Sequence, residues 1–259
     1  MPRRAVALLL LVVLTACAGG ETRAPGPSAA AVSAARAELE GVEIEPTARG
    51  TAANRALTAR AWQRVQPAIA RMCAHFDADD CDYELVWSDE KTPNAFADGE
   101  TIYMFDGLVR FLENEAQVAL VLAHEAAHNV ADHPAKGARN TAVGLVLGAV
   151  LGGVLGAVID DDLTAEGVAL GATLGGATGR LSYSKTYERE ADYVGAYIVD
   201  HAGYELAAAR GLYRVLGGLS GVETTSIFDS HPASPDRLAG FDAAVEEIRA
   251  GRRWPQLAG

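Results

Sequence analysis

Apolar residues recur along most of this chain at helical spacing, broken by one short region of strand-like alternation. Residues 52–76 carry the helical pattern, with Pro67 expected to kink or interrupt it. The acidic turn at residues 77–80 leads into residues 83–87, which alternate as a strand does. Residues 94–97 and 101–105 then flank Asp98-Gly99, a hairpin signal. Asn114 stands as the N-cap of a long helix from Glu115 to about Ala131, apolar nearly all round and so expected at the centre of the fold. Residues 187–201, 206–216 and 233–250 read as three further helices. The pattern predicts a mainly helical α+β fold around a small antiparallel sheet.

The N-terminus breaks this pattern. Arg3 and Arg4 precede an unbroken apolar run over residues 5–14, followed by Leu14-Thr15-Ala16-Cys17. The run is too short for a good bilayer span and ends in small residues, so residues 1–16 read as an export signal. The last four residues resemble a bacterial lipobox, which implies a lipidated Cys17 as the first residue of the mature chain. Ala18 after it implies sorting to the periplasmic face of an outer membrane. Residues 17–31 read as that cysteine and a flexible tether, residues 32–250 as one domain, and residues 251–259 as a tail.

Charge narrows the partners. With 34 acidic and 22 basic residues the net charge is −12, and losing the signal removes two arginines. Such a balance excludes a basic nucleic-acid face and docking on anionic lipid by charge, so membrane attachment is left to the lipid. Export also places the chain in an oxidising compartment, where Cys73 and Cys81 are expected to form a disulfide. Their spacing suits no common zinc motif.

The chemistry concentrates at His124-Glu125-Ala126-Ala127-His128. Positions i and i+4 share a helix face, so both histidines can aim a ring nitrogen at one cation. Glu125 is placed beside that cation without ligating it, where it can take a proton from water. The apolar neighbours argue for burial, and three buried polar groups need a partner such as a metal. One zinc per chain is therefore expected, with a third protein ligand. Glu188 and Asp192 are four residues apart: Glu188 can ligate while Asp192 holds a ligand histidine, and Glu190 points elsewhere. His75, His133 and His201 read as surface groups or groups behind the ligands.

Between these motifs, glycines recur every four residues from Gly144 to Gly156 and again from Gly167 to Gly179. The first run, residues 141–159, would reach about 28 Å as a helix, but the second only about 20 Å. A single crossing would also strand Glu188 away from His124. Residues 141–180 are accordingly expected as a close-packed helical hairpin beside the site, with a membrane-inserted, oligomerising hairpin as the rival.

Taken in order, these motifs resemble peptidase family M48, the minigluzincins that include CAAX prenyl proteases and HtpX-like enzymes, and within it the bacterial lipoprotein branch. The resemblance runs over residues 83–241. It rests on Asn94-Ala95-Phe96, Thr101-Ile102-Tyr103, Gly107-Leu108, the HEAAH motif, Glu188-x-x-Ala191-Asp192, and Asp229-Ser230-His231-Pro232 followed by Arg237. It implies a gluzincin-type zinc endopeptidase with ligands His124, His128 and Glu188 and base Glu125. It makes Asn94, Ala95, Phe96 and Ala97 an edge strand for substrate, and sets His231 near the zinc as oxyanion stabiliser or latch. It further implies unfolded or misassembled envelope proteins as substrates, and outer-membrane assembly machinery as a candidate partner. The alternative is a chaperone or assembly factor for outer-membrane proteins whose zinc site is latched or rarely used.

Overall fold

The computed structural model describes residues 22–78, 81–138, 185–220 and 234–258, with residues 145–146, 149–150, 153, 165 and 168–170. Cys17 and His231 lie outside them, as does most of the glycine-rich insert. The chain divides into two compact units, Gly20–His133 with Tyr183–Gly259, and Met1–Gly19 with Pro134–Ser182.

In the larger unit, α1 (Ala29–Leu39) is capped by Ser28, whose Oγ accepts from the Ala31 amide. The 26-residue α2 (Thr51–Phe76) remains one helix across Pro67. Proline removes one backbone donor there, but Val65, Ala68 and Ile69 around it are buried, so packing carries the helix past the lost bond. Cys73 near its end is bonded to Cys81, S–S 2.06 Å, ahead of the first strand.

Strands β1 (Glu84–Ser88), β2 (Ala95–Ala97) and β3 (Thr101–Phe105) lie in the order β1-β3-β2. The sheet is mixed, not antiparallel as expected from the sequence. β2 and β3 form the expected antiparallel hairpin, its turn held by Asp98 Oδ1 accepting from the amides of Glu100 and Thr101 at 3.1 and 2.8 Å. β1, however, pairs parallel with the far side of β3, Glu84 opposite Thr101. The linker from β1 must therefore cross the end of β3, where β3 runs into α3 (Asp106–Val109).

Gly107 makes that crossing feasible. A Cβ there would sit 2.3 Å from the Lys91 carbonyl oxygen and 2.4 Å from that of Thr92, and the Gly107 amide donates to Glu90 O at 2.9 Å. The buried Asp106 beside it accepts from Asn54 Nδ2 at 2.8 Å, Thr51 Oγ1 at 3.1 Å and Lys91 Nζ at 2.6 Å. Burial alone would raise the Asp106 pKa, but these bonds outweigh it and hold the carboxyl below its ordinary value. Because the clash at Gly107 is with backbone, Gly107→Ala is expected to destabilise the fold by about 3 kcal/mol, the upper end for overpacking. Urea unfolding monitored by circular dichroism reads this directly, and an unchanged midpoint would refute the crossing argument.

α4 (Glu115–Val130) starts at Asn114, whose Oδ1 accepts from the Gln117 amide at 3.0 Å. Every residue from Ala116 to Val130 is buried. The helix packs between α2 and α5 (Lys185–His201), with β2 alongside. The expected helix over residues 206–216 is two, α6 (Leu206–Ala209) and α7 (Leu212–Leu219). At the break, Arg210 pairs with Glu38 of α1 at 2.7 Å and with Asp242 of α8 (Pro235–Arg249) at 2.6 Å. α8 also packs on α5.

Both described ends of the unit are docked. Thr22 and Leu257 form an antiparallel bridge, and the Arg23 amide donates to Gln256 O at 2.7 Å. The described part of the segment read as a flexible tether, from Thr22 onward, is thus held to the body. Trp254 stacks on His75, ring centres 4.9 Å apart, and meets His201 edge-on at 4.6 Å.

In the smaller unit, Gly153 faces Val168 so closely that a Cβ would come within 2.8 Å of it. Leu145, Val146, Val150, Val168 and Leu170 are exposed. Among the described residues no helix is long and apolar enough to cross a membrane.

Candidate active site

Three helices of the larger unit build the site. α4 contributes His124, Glu125 and His128, α5 contributes Glu188 and Asp192, and α8 contributes Arg237; all six are buried. α4 and α5 approach closely at Gly195, where a Cβ would be in ordinary contact with the His124 backbone nitrogen at 3.4 Å.

One turn of helix separates the two histidines, and their Nε2 atoms converge to 3.0 Å. Glu188 faces both, its Oε2 3.5 Å from His124 Nε2 and its Oε1 3.4 Å from His128 Nε2. The three residues offer ligand atoms all within 4.8 Å of one another. Donors on a tetrahedron of zinc-like radius lie about 3.3 Å apart, so the three separations suit a shared cation. Two imidazoles and a carboxylate are also the donor set of a hydrolytic zinc site with one position left open.

Asp192 lies behind the ligands. Its Oδ1 is 3.0 Å from His124 Nδ1, and Arg237 grips both its oxygens at 2.8 Å. Arg237 also reaches Glu188 Oε2 with Nη1 at 2.9 Å. Burial opposes the charge on each of these groups, yet their mutual attraction prevails: Asp192 is held below the ordinary carboxylate range and Arg237 well above its ordinary value. Burial and the Arg237 charge both push the His124 pKa down, but its bonds to Asp192 and Glu188 prevail and raise it to about 9. Tyr213 is buried nearby, its pKa pushed well up by burial and by the charge of Asp192.

Glu125 is buried next to His124 on α4. β2 packs its Ala95 and Ala97 side chains inward, while Phe96 stacks on Tyr103 at 4.4 Å on the other face. The bonds from the Phe105 amide to Asn94 O and from the Asp98 amide to Thr101 O place residues 94, 96 and 98 in register with β3. By alternation, the backbone groups of Ala95 and Ala97 point to the other side, where no described strand pairs with them. The gap between this edge and the ligand helix is set by Asn129, whose Oδ1 accepts from the Gly99 amide at 3.0 Å.

The structure thus gathers His124, Glu125, His128, Glu188 and Asp192 at one place, with the edge strand formed by residues 95–97 tied to the same helix. Arg237, carried only as part of a motif, proves central to the charge balance. Asn129 has no signal in the sequence and Glu190 is read there as pointing elsewhere; of the two readings of His133, a surface group or one behind the ligands, the structure shows the second. His133 is fully buried, with Nδ1 2.8 Å from His128 Nδ1. It lies beyond the end of α4, where helical spacing gives no signal.

This geometry suits a metal-dependent hydrolase of the HExxH kind. The sequence pattern of peptidase family M48 matches residues 59–245, and the chain belongs to that metalloprotease family. It is similar to two proteins described as mitochondrial metalloendopeptidase OMA1. With that of Arabidopsis thaliana it is 31% identical over 180 residues, which cover 66% of this chain and 35% of the relative. With that of Schizosaccharomyces pombe it is 29% identical over 204 residues, covering 74% of this chain and 58% of the relative. The chain therefore spans between about a third and somewhat over half of the length of these relatives.

Proposed function

We propose that the protein is a zinc-dependent endopeptidase that cleaves extended segments of unfolded or misassembled envelope proteins. The observation that carries this reading is the convergence of His124, His128 and Glu188 on one buried point. Zinc held by these three would act as a Lewis acid toward the scissile carbonyl and the attacking water. Glu125 accepts the proton of that water and delivers it to the leaving amine. Asp192, fixed by Arg237, holds the His124 ring in the orientation that presents Nε2 to the metal. The free groups of Ala95 and Ala97 pair with a substrate backbone, which reads an extended chain with little regard to its side chains. His231, in its His-Pro motif, is the candidate for supporting the oxyanion or for latching the open position.

Lipidation at Cys17 and a place on the periplasmic face of the outer membrane complete the proposal; they are supported by the lipobox-like segment and by the lipoprotein branch that the motifs resemble. Incubation of the purified full chain with casein is expected to yield cleavage that a zinc chelator abolishes and added zinc restores. An intact substrate in both conditions would overturn the peptidase reading in favour of the chaperone alternative.

A further inference from the structure

We propose that His133 and Glu190 are positioning residues for the metal centre: Glu190 sets the tautomer of His133, and His133 sets the tautomer and ring plane of His128. This rests on the reading of His128 as a metal ligand.

With His128 as a metal ligand through Nε2, the hydrogen bonds described are met together by the following assignment of protons. His128 turns Nε2 toward His124 and Glu188, so Nε2 is the nitrogen that meets a cation and must offer a bare lone pair. A neutral imidazole with a bare Nε2 carries its proton on Nδ1. That Nδ1 lies 2.8 Å from His133 Nδ1, so His128 donates and His133 accepts. His133, with Nδ1 bare, must then carry its own proton on Nε2. Glu190 Oε2 waits 3.1 Å from that atom and accepts it.

His133 and Glu190 are both buried, so bulk water is not at hand to take either role. The ring of Tyr187 stacks on His133 with centres 4.4 Å apart and planes 18° off parallel, which fixes the imidazole plane. His133 itself is no ligand, because its Nδ1 faces the back of His128 and not the convergence point. The two ligand histidines are therefore held differently. His124 meets a carboxylate directly, through Asp192, whereas His128 reaches one through an intervening imidazole. In both cases negative charge behind the ring makes the ligand nitrogen a stronger donor to a metal.

Local backbone makes the relay possible. α4 ends at Val130 with Ala131 as its C-cap, and Asp132 adopts φ +54°, a left-handed conformation that folds His133 back under the last turn. On α5, Tyr187 and Glu190 are three residues apart and share a face, about 100° or more round the helix from Glu188.

The test measures zinc affinity of the full chain by competition with a chromogenic chelator, in the wild type, His133→Phe, Glu190→Gln and the double variant. Thermal unfolding of each metal-free protein serves as the folding control. Phenylalanine keeps the stack on Tyr187 and removes the acceptor. His133→Phe is expected to weaken zinc binding about 10- to 100-fold, Glu190→Gln by a smaller factor, and the double variant no more than His133→Phe alone. Unchanged affinity in both single variants, or losses that simply multiply in the double, would overturn the relay. Should His133→Phe not fold, Glu190→Gln decides: weaker zinc binding at an unchanged metal-free melting point supports the relay, and unchanged binding overturns it. A wild type that takes up no zinc overturns the metal reading itself, a result distinct from a zinc-binding wild type matched by its variants.

Discussion

Glu125→Gln is expected to lower peptide cleavage by about 10²- to 10⁴-fold while the protein still takes up one zinc. The substitution keeps the size and burial of the side chain and removes only its capacity to accept a proton. Neither the convergence of His124, His128 and Glu188 nor the Arg237 contacts involve Glu125 among the bonds described, so the ligand set should survive intact. The informative measurement is therefore a pair: turnover of casein or another unfolded protein, and metal content by mass spectrometry. Loss of both would make Glu125 a structural residue. Full retention of turnover would remove it from the mechanism.

The second large effect is expected at Arg237. Replacement by methionine fills much of the volume but leaves Glu188 and Asp192 buried without the guanidinium that grips them both. Removing one partner of such a buried cluster costs about 3–5 kcal/mol, because the remaining charges stay desolvated. Metal-free Arg237→Met should accordingly unfold at markedly lower urea concentration than the wild type. Zinc should restore more stability to the variant than to the wild type, since a divalent cation beside Glu188 replaces the missing positive charge. If zinc instead stabilises both equally, Arg237 does not share the electrostatic work with the metal. A variant as stable as the wild type without zinc would show that the cluster tolerates its own repulsion.

The parts of this molecule legible from sequence are those governed by a fixed period. His124 and His128 share a helix face because 3.6 residues make a turn, and the same rule links Glu188 to Asp192. The apolar surround of the HEAAH motif announced a central helix, and α4 is buried along almost its whole length. The Asp98-Gly99 turn likewise announced a hairpin. What escaped depends on chain paths that no local period encodes. The parallel pairing of β1 with β3 follows from a linker crossing above Gly107, a contact between residues 15 or so apart whose only trace is one glycine. Pro67 was read by its local penalty, which buried neighbours on α2 override. His133 reaches His128 only through the left-handed turn at Asp132, and Glu190 was set aside because it faces away from Glu188, which is what lets it meet His133. Arg237 stands 45 residues from Asp192, so its role appears only once α8 lies against α5.

The bridge between Thr22 and Leu257 bears on where such an enzyme could work. If Cys17 is the point of lipid attachment, as proposed, four residues lie between it and Thr22, a reach of at most about 18 Å of extended chain. On that proposal the body would be leashed to the bilayer at short range, with the paired Thr22 and Leu257 segments on the side nearest the lipid. A leash of this length would turn the membrane surface into a reaction vessel: chains held at that surface would meet the catalytic groups at a high effective concentration, while those free in the surrounding fluid would not. Selectivity would then come from geography, leaving the edge strand free to accept nearly any unfolded backbone.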